Sequence, residues 1–460
     1  MGRYFQCYIM QVGLSKFNPS YFMSIMLTVL LVGCGAGAGN DSNTSAFTEP
    51  LTSRPAPRSC SIAGINTWVH ESMQDYYLFY DQIDRNIDPA AFDSPEQFMR
   101  ELRVQPNDTF SYVTDEVAYN AFFSEGETFG YGWNFARDGD NTLLFALVEP
   151  NSPLALAGVE RGEELVSIND IDIDDFTAMT SIAQNDILGV GDQVKTIDLV
   201  VADAAQQPRQ VTVTKATYDV QTVLDSNVIS RNAGNVAYLH FYQFISTSSD
   251  ELEEAFSFFN DTGVTELVLD LRFNGGGRIS VANELASYII GPDHGNDVFA
   301  TFALNDKYQH ENAGLNFRTM TESLSLNRVF VLQSDNTCSA SELVVNSLRP
   351  FIEVITVGET SCGKPYASSP NFGCEKVVNA LEYELLNADG AGGYFNGIAA
   401  DCPVQDNVRT ALGDTSEPLL AEALNYIDTG SCALMARNIR HNSHRLTNEF
   451  KQAWRGGNTL

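Results

Sequence analysis

Two stretches of this 460-residue chain repeat one design, and that design narrows the possible folds. In "ELVLDLRFNGGGRIS" (266–280) and again in "RVFVLQSDNTCSASELVV" (328–345), an apolar run leads through a tight turn of small residues into a helix-forming segment. Apolar runs of that length bounded by turn residues fit buried strands, and alternation of such strands with helices predicts an α/β region. "VAYLHFYQF" (236–244) and "EVITVGE" (353–359) supply two further strand candidates. In "ISVANELASYII" (279–290), Ala282, Leu285, Ala286 and Ile289 fall on one helical face. Residues 219–430 therefore read as one α/β region.

Around it the texture changes. Residues 60–125 are expected to be mainly helical, from the aromatic and apolar spacing in "INTWVHESMQDYYLFYDQI". Residues 126–218 turn to short strands, with "FGYGWNF" at 129–135 and "LFALVEPNSPLALAGVERGEELVSINDIDI" at 144–173. Taken together these two segments resemble a PDZ domain. That resemblance implies a sheet edge beside a helix, with the N–H groups of Tyr131, Gly132 and Trp133 turned toward a peptide's terminal carboxylate. At the start of the chain, Arg3 and Lys16 precede "YFMSIMLTVLLVGC", an apolar stretch too short to span a bilayer comfortably. It reads as an export signal over 1–33. "LVGC" resembles the lipobox of bacterial lipoproteins, which implies a lipid on Cys34 and a tether over 34–59.

A formal charge of −32 repels phosphate backbones and anionic lipid, so nucleic acid is not an expected partner. Six histidines, none at metal-ligand spacing, give no metal site, and no cofactor motif is found. Of eight cysteines, Cys7 lies in the export signal and Cys34 at the lipobox, leaving six with 15 possible pairings. Cys60 and Cys432 bracket the folded region and Cys374 and Cys402 are close in sequence, so those two bridges are the expected ones. The basic C-terminal tail over 431–460 reads as a solvated or loosely docked helix.

The turns carry the candidate chemistry. Three glycines at 275–277 with no Gly-Lys-Ser/Thr ending do not suit a nucleotide. They let a carbonyl approach bare backbone, whose N–H groups can receive developing negative charge. In the second turn Ser339 precedes Glu342 by three residues, the spacing of a capping box. A helix start equally suits a nucleophile, and local pattern leaves both readings open. Beyond the next strand comes "GETSCGKPYAS" (358–368), with Lys364 at 25 positions from Ser339 (339 to 364). A solvated lysine does nothing there, whereas one walled in by strands loses its proton readily and can act as a base.

The trio "DLRFNGGG", "TCSASELVVNSLRP" and "VGETSCGKP" resembles the carboxyl-terminal processing peptidases, or tail-specific proteases. The likeness runs on through "NGIAADCPV" and "LGDTSEPLLAEALNYI", so that residues 126–430, about two thirds of the chain, are covered. It implies an α/β fold with a crotonase/ClpP-like spiral peptidase core (219–430), a preceding PDZ domain (126–218) and an N-terminal helical segment (60–125). It also implies Ser339 as nucleophile, Lys364 as general base, and an oxyanion hole from the N–H groups of Ala340 and of Gly276 or Gly275. Ser368 stands where the family commonly has Gln or Glu to orient the lysine, which makes it the candidate third member. A meeting of Ser339 with Lys364 would let Cys338 pair with Cys362, with a buried free thiol at Cys338 as the alternative. His240 is the rival base, as in tricorn-like relatives. The expected protein is a lipid-anchored, exported serine endopeptidase without metal or cofactor, acting on protein substrates through their C-terminal tails. A non-catalytic periplasmic scaffold that only captures tails is the alternative.

Overall fold

The structure is a computed structural model and describes residues 54–231 and 234–433. The expected export signal, Cys34 and the basic tail beyond residue 433 lie outside the described residues. The α/β region is organised by a six-stranded sheet in the order Val223–Arg231, Gly234–Phe241, Val264–Asp270, Arg328–Gln333, Glu353–Gly358, Cys402–Pro403. Its first pair is antiparallel and the other four pairings are parallel. The two repeated strand–turn–helix units therefore lie side by side, with Asp270 opposite Leu332.

Both faces of this sheet are covered, as parallel strands require. The helices Ser248–Asp261, Ile279–Ile290 and Ala340–Leu348 pack on one face, and the helix Pro418–Thr429 on the other. Helix Ile279–Ile290 is buried from Val281 to its end, so its apolar positions face neighbours on every side. Burying Leu285 or Ile289 in this way contributes about 1.5–3 kcal/mol each. Its polar residues are satisfied internally: Asn283 donates to the Asn316 carbonyl at 2.8 Å, and Ser287 donates to the Asn283 carbonyl at 2.6 Å.

Residues 133–214 form a second six-stranded sheet, Trp133–Arg137, Leu143–Val148, Glu164–Ile168, Thr196–Ala202 and Pro208–Thr214 in that order, with Ile171–Asp172 beside the third. Its core holds Tyr131, Phe145, Leu165, Phe176 and Leu199. This sheet is tied to the larger one by Arg161, which donates to the carbonyl of Thr410 at 3.0 Å and to Asp406 at 2.6 Å.

The segment expected to be mainly helical holds the helices Ile62–Asp75 and Pro95–Leu102 but also a strand, Tyr112–Asp115, that the helical reading omits. This strand pairs with Lys376–Asn379, Val113 opposite Val378, so the N-terminal region completes a small sheet of the core. Trp68, Met73 and Phe98 pack against Val378 and Leu381 in the same cluster. That docking decides the disulfides. Cys60 precedes the first helix and Cys374 sits in the turn of the hairpin it packs on, and the two are bridged with Cα atoms 5.3 Å apart. Cys402, on the last sheet strand, pairs with Cys432, which follows the helix covering that strand. The expected Cys60–Cys432 and Cys374–Cys402 bridges are thus both replaced, because closeness in sequence and bracketing of the fold say nothing of which elements pack together. The third bridge joins Cys338 to Cys362, the pairing rather than the free-thiol alternative. Peptide mapping of the oxidised protein without reductant is expected to recover Cys60–Cys374, Cys338–Cys362 and Cys402–Cys432, and no peptide joining Cys60 to Cys432.

Candidate functional site

The site lies where the two repeated turns leave adjacent parallel strands. Arg272 enters the glycine turn fixed in place: it is 1% exposed, reaches both oxygens of Asp270 at 3.0 Å, and clamps Glu417 with two 2.8 Å hydrogen bonds. Desolvation alone would raise the Asp270 carboxyl, but Arg272 outweighs it and holds it below the usual range. Asn274 then faces inward and joins the two turns. Its carbonyl accepts from Cys338 N–H at 3.1 Å and from the Ser341 hydroxyl at 3.0 Å.

Gly276 is at φ 104°, and a Cβ there would stand 2.8 Å from both the Cys338 carbonyl oxygen and Ser339 Cβ, and 3.0 Å from Ala340 N. Only glycine fits so close an approach. The Gly276 N–H donates to Asn274 Oδ1 at 2.9 Å. Those of Gly275 and of Ala340, the first residue of the helix, have no partner among the described residues. Of the two candidate glycine donors, Gly275 is the one left unengaged in this conformation.

Ser339 itself has φ 54° and ψ −112°, a sparsely populated combination for a residue with a side chain. A capping serine normally sits in the extended region. Here the hydroxyl lies near the helix amides in capping-box fashion but makes no cap hydrogen bond of normal geometry to them. Glu342 does complete its half, accepting the Ser339 N–H at 2.9 Å.

That carboxylate is the centre of the arrangement. Glu342 is buried in the helix Ala340–Leu348 and also accepts the N–H of Lys364 at 2.8 Å on the same oxygen, and that of Gly363 at 2.8 Å on the other. The Ser361 hydroxyl is its fourth donor. Burial raises the Glu342 carboxyl above its ordinary value and these donors pull it back only in part. The Cys338–Cys362 bridge runs alongside, with Cα atoms 5.2 Å apart. Two turns far apart in sequence are in this way fastened together at Ser339 and Lys364.

The Lys364 side chain keeps some contact with solvent at its surface, but its amine has no hydrogen bond or ion pair to a described residue and lies 5.2 Å from the centre of the Phe110 ring. Desolvation lowers it from its ordinary value, against the opposing pull of Asp108 and then Glu342. Ser368 follows the strand Tyr366–Ala367 and makes no hydrogen bond to Lys364. His240 is in register with Asp270 in the neighbouring strand, and its buried Nε2 has no hydrogen-bond partner among the described residues. Burial lowers it to about 4, and the charges that act on it are Asp270, Arg272, Arg161 and Glu417, with neither Ser339 nor Lys364 among them.

Just before the first strand of the smaller sheet, Tyr131 and Gly132 are buried, and their N–H groups donate to no described residue, while their carbonyls accept from Leu154 at 3.2 Å and Glu149 at 2.9 Å. Trp133 opens the edge strand opposite Val148. Two groups of ligand-type side chains are close enough to share an ion, Cys338–Glu342–Cys362 and Cys402–Glu422–Cys432. Each holds a disulfide, whose sulfurs are not thiolate ligands. The S-x-x-E spacing marked Glu342 as a cap, and its larger part in joining the turns had no sequence signal. Asp108 and Phe110, from the region read as structural, were missed because nothing local connects them with Lys364.

Residues 235–404 match the sequence profile of Peptidase family S41, and residues 64–112 that of the Peptidase S41 N-terminal domain. A carboxyl-terminal-processing protease of Picosynechococcus sp. is 24% identical over 67% of this chain and 68% of its own. The carboxyl-terminal-processing peptidase 1 of Arabidopsis thaliana chloroplasts is 26% identical over 58% of this chain and 53% of its own. The protease CtpA of Bacillus subtilis is 22% identical over 66% and 61%. The chain thus spans about half to two thirds of the length of these relatives. A protein described as an S41 protease from Bacteroides fragilis has a crystal structure that superposes with a TM-score of 0.62 at 25% identity, covering 79% of this chain and 97% of its own.

The clamp makes a stability prediction. Glu342→Gln puts an amide donor where a carboxylate oxygen now accepts, leaving at least one buried N–H unpaired, and is expected to lower unfolding free energy by about 2–4 kcal/mol. Urea unfolding should show a lower midpoint at an unchanged slope.

Proposed function

Because the chain belongs to peptidase family S41, a family of serine-type peptidases, we propose that it is a serine endopeptidase of the carboxyl-terminal processing kind with a Ser339–Lys364 dyad. The observation that carries this reading is the shared acceptor: Ser339 N–H and Lys364 N–H meet on one oxygen of Glu342, beside a lysine amine that burial makes easier to deprotonate. A helix cap needs neither the strained backbone at Ser339 nor a desolvated amine.

In this mechanism Lys364, neutral, takes the Ser339 hydroxyl proton as Oγ attacks the scissile carbonyl. The oxyanion that forms is received by the N–H groups of Ala340 and Gly275, and Gly276 would join them on releasing Asn274. The ammonium of Lys364 then protonates the leaving amine, and water, deprotonated by the same amine, releases the acyl group from Ser339. Ser368 has no direct part in this scheme. The domain layout follows the sequence reading: a helical N-terminal region at 60–125, a PDZ domain at 126–218, and a peptidase core of the crotonase/ClpP-like spiral type at 219–430. Unengaged N–H groups at Tyr131 and Gly132 support capture of a substrate's C-terminal carboxylate there, with Trp133 at the edge strand that a peptide would extend. Among the described residues no helix is long and apolar enough to cross a membrane. Export and a lipid on Cys34 are the proposed localisation, and three disulfides suit an oxidising compartment.

The purified full-length chain is expected to degrade an unfolded protein with a free apolar C-terminus, and Ser339→Ala and Lys364→Ala are each expected to lose about 10³-fold or more in kcat/KM. Equal degradation by all three proteins would reject the dyad. The active amine is the neutral one, so kcat/KM should fall about tenfold per pH unit as pH drops below the Lys364 pKa, itself below 10.5. Amidating the substrate's C-terminus is expected to raise KM with little change in kcat.

A further inference from the structure

Two of the three groups that act on the Lys364 amine, Asp108 and Phe110, come from the N-terminal region and not from the peptidase core. Asp108 is wholly buried, and three donors fix its carboxylate. The N–H groups of Phe110 and Ser111 each donate to Oδ1 at 2.8 Å, and the Tyr77 hydroxyl donates to Oδ2 at 2.8 Å. The same turn carries the Phe110 ring, 5.2 Å from Lys364 Nζ. It is held on two sides: within the N-terminal region Val104 N–H donates to the Tyr77 hydroxyl at 3.2 Å, and from the core Leu381 N–H donates to the Ser111 hydroxyl at 3.0 Å. The strand Tyr112–Asp115 then follows in register with Lys376–Asn379. A carboxylate so fixed, whose charge acts on an amine with no hydrogen bond to a described residue, and a ring face 5.2 Å from that amine are more than the docking of two helices requires.

We propose that Asp108 and Phe110 are positioning residues for Lys364: the fixed carboxylate and the ring face hold the amine in the site and stabilise the positive charge it gains on taking the Ser339 proton. The inference rests on Lys364 being the base. It assigns to the N-terminal region the orienting role that the resemblance would give to position 368, where Ser368 makes no bond to the amine.

The charges around the amine are few. Asp108 and, from the helix Ala340–Leu348, Glu342 are the groups whose charge acts on it. Around Asp108 lie Tyr77 and Arg103, the latter donating to the Thr109 carbonyl at 2.8 Å. Tyr366 also feels Asp108 from the adjoining strand. Burial and then Asp108 push the Tyr77 hydroxyl far up, so it remains a protonated donor throughout the working range. A negative charge favours the ammonium form, and removing it disfavours that form. The acid limb of the rate profile must then move to lower pH, while the weaker base slows the reaction.

The test uses the full-length protein and pH profiles of kcat/KM for an unfolded protein substrate. Asp108→Asn, which can still accept from Phe110 and Ser111, is expected to move the acid limb down by about 0.5–1 pH unit. Its plateau kcat/KM should fall about tenfold, mostly in kcat. Phe110→Leu is expected to move the limb the same way by a smaller amount, because the ring face is a weaker partner for a cation. A folded Asp108→Asn protein whose acid limb coincides with wild type overturns the proposal even if its rate falls, since a purely structural role moves the rate and not the limb. If Asp108→Asn does not fold, the limb of Phe110→Leu decides in the same way. Wild-type activity in Lys364→Ala would instead overturn the base assignment itself.

Discussion

One buried carboxylate sets the geometry of the site. Glu342 accepts the backbone N–H groups of Ser339, Gly363 and Lys364 and the hydroxyl of Ser361, so a turn after one strand and a turn after the next are held at a common point. Burying a charge is costly, and the raised Glu342 carboxyl registers that cost. Four donors offset much of it, and each donor comes from a segment whose position matters. Loss of the carboxylate would loosen the Ser339 turn and the Lys364 turn together, leaving the Cys338–Cys362 bridge and the Cys362 N–H bond to the Thr337 carbonyl across the gap.

The scaffold around this clamp serves the same end by different physics. Parallel pairing of Val264–Asp270, Arg328–Gln333 and Glu353–Gly358 delivers all three turns at one edge of the sheet. Arg272, between Asp270 and Glu417, fixes the glycine turn from below. Truncating a buried cation of this kind typically costs 3–5 kcal/mol, because its carboxylate partners are left uncompensated. Asp406 joins the same network and passes it to Arg161 of the smaller sheet. The N-terminal region closes the other side, where the Phe110 ring lies 5.2 Å from the lysine amine and the charge of Asp108 acts on it. The candidate site is thus assembled at the carboxyl ends of the parallel strands, with the smaller sheet tethered to the core through the Arg161–Asp406 and Arg409–Asp138 salt bridges.

Much of this was legible in the chain. The strands at 266–272, 328–334 and 353–359 and the helix at 279–290 are marked by apolar runs that no other local structure accommodates as well, and the structure places elements at each. Ser339, Lys364 and the glycines were singled out because tight turns of small residues after buried strands are chemically suggestive. The strand Tyr112–Asp115 was not found, since four residues of mixed polarity are stabilised only by their partner at 376–379. Cysteine pairing failed for a similar reason at Cys60 and Cys374, which are joined by the docking of a helix on a hairpin 314 positions away in sequence.

The amino-acid sequence by itself determined which segments become buried strands and helices, and which turns offer bare backbone, a hydroxyl and an amine. Periodicity and turn chemistry act over a few residues, so they are written locally. Only the tertiary structure decided that Glu342 joins two turns, that the Gly276 N–H is already engaged by Asn274 while that of Gly275 is not, and that Asp108 and Phe110 stand beside Lys364. Hydrogen bonding and electrostatics depend on distance and on exclusion of water, and both are set by how remote segments pack.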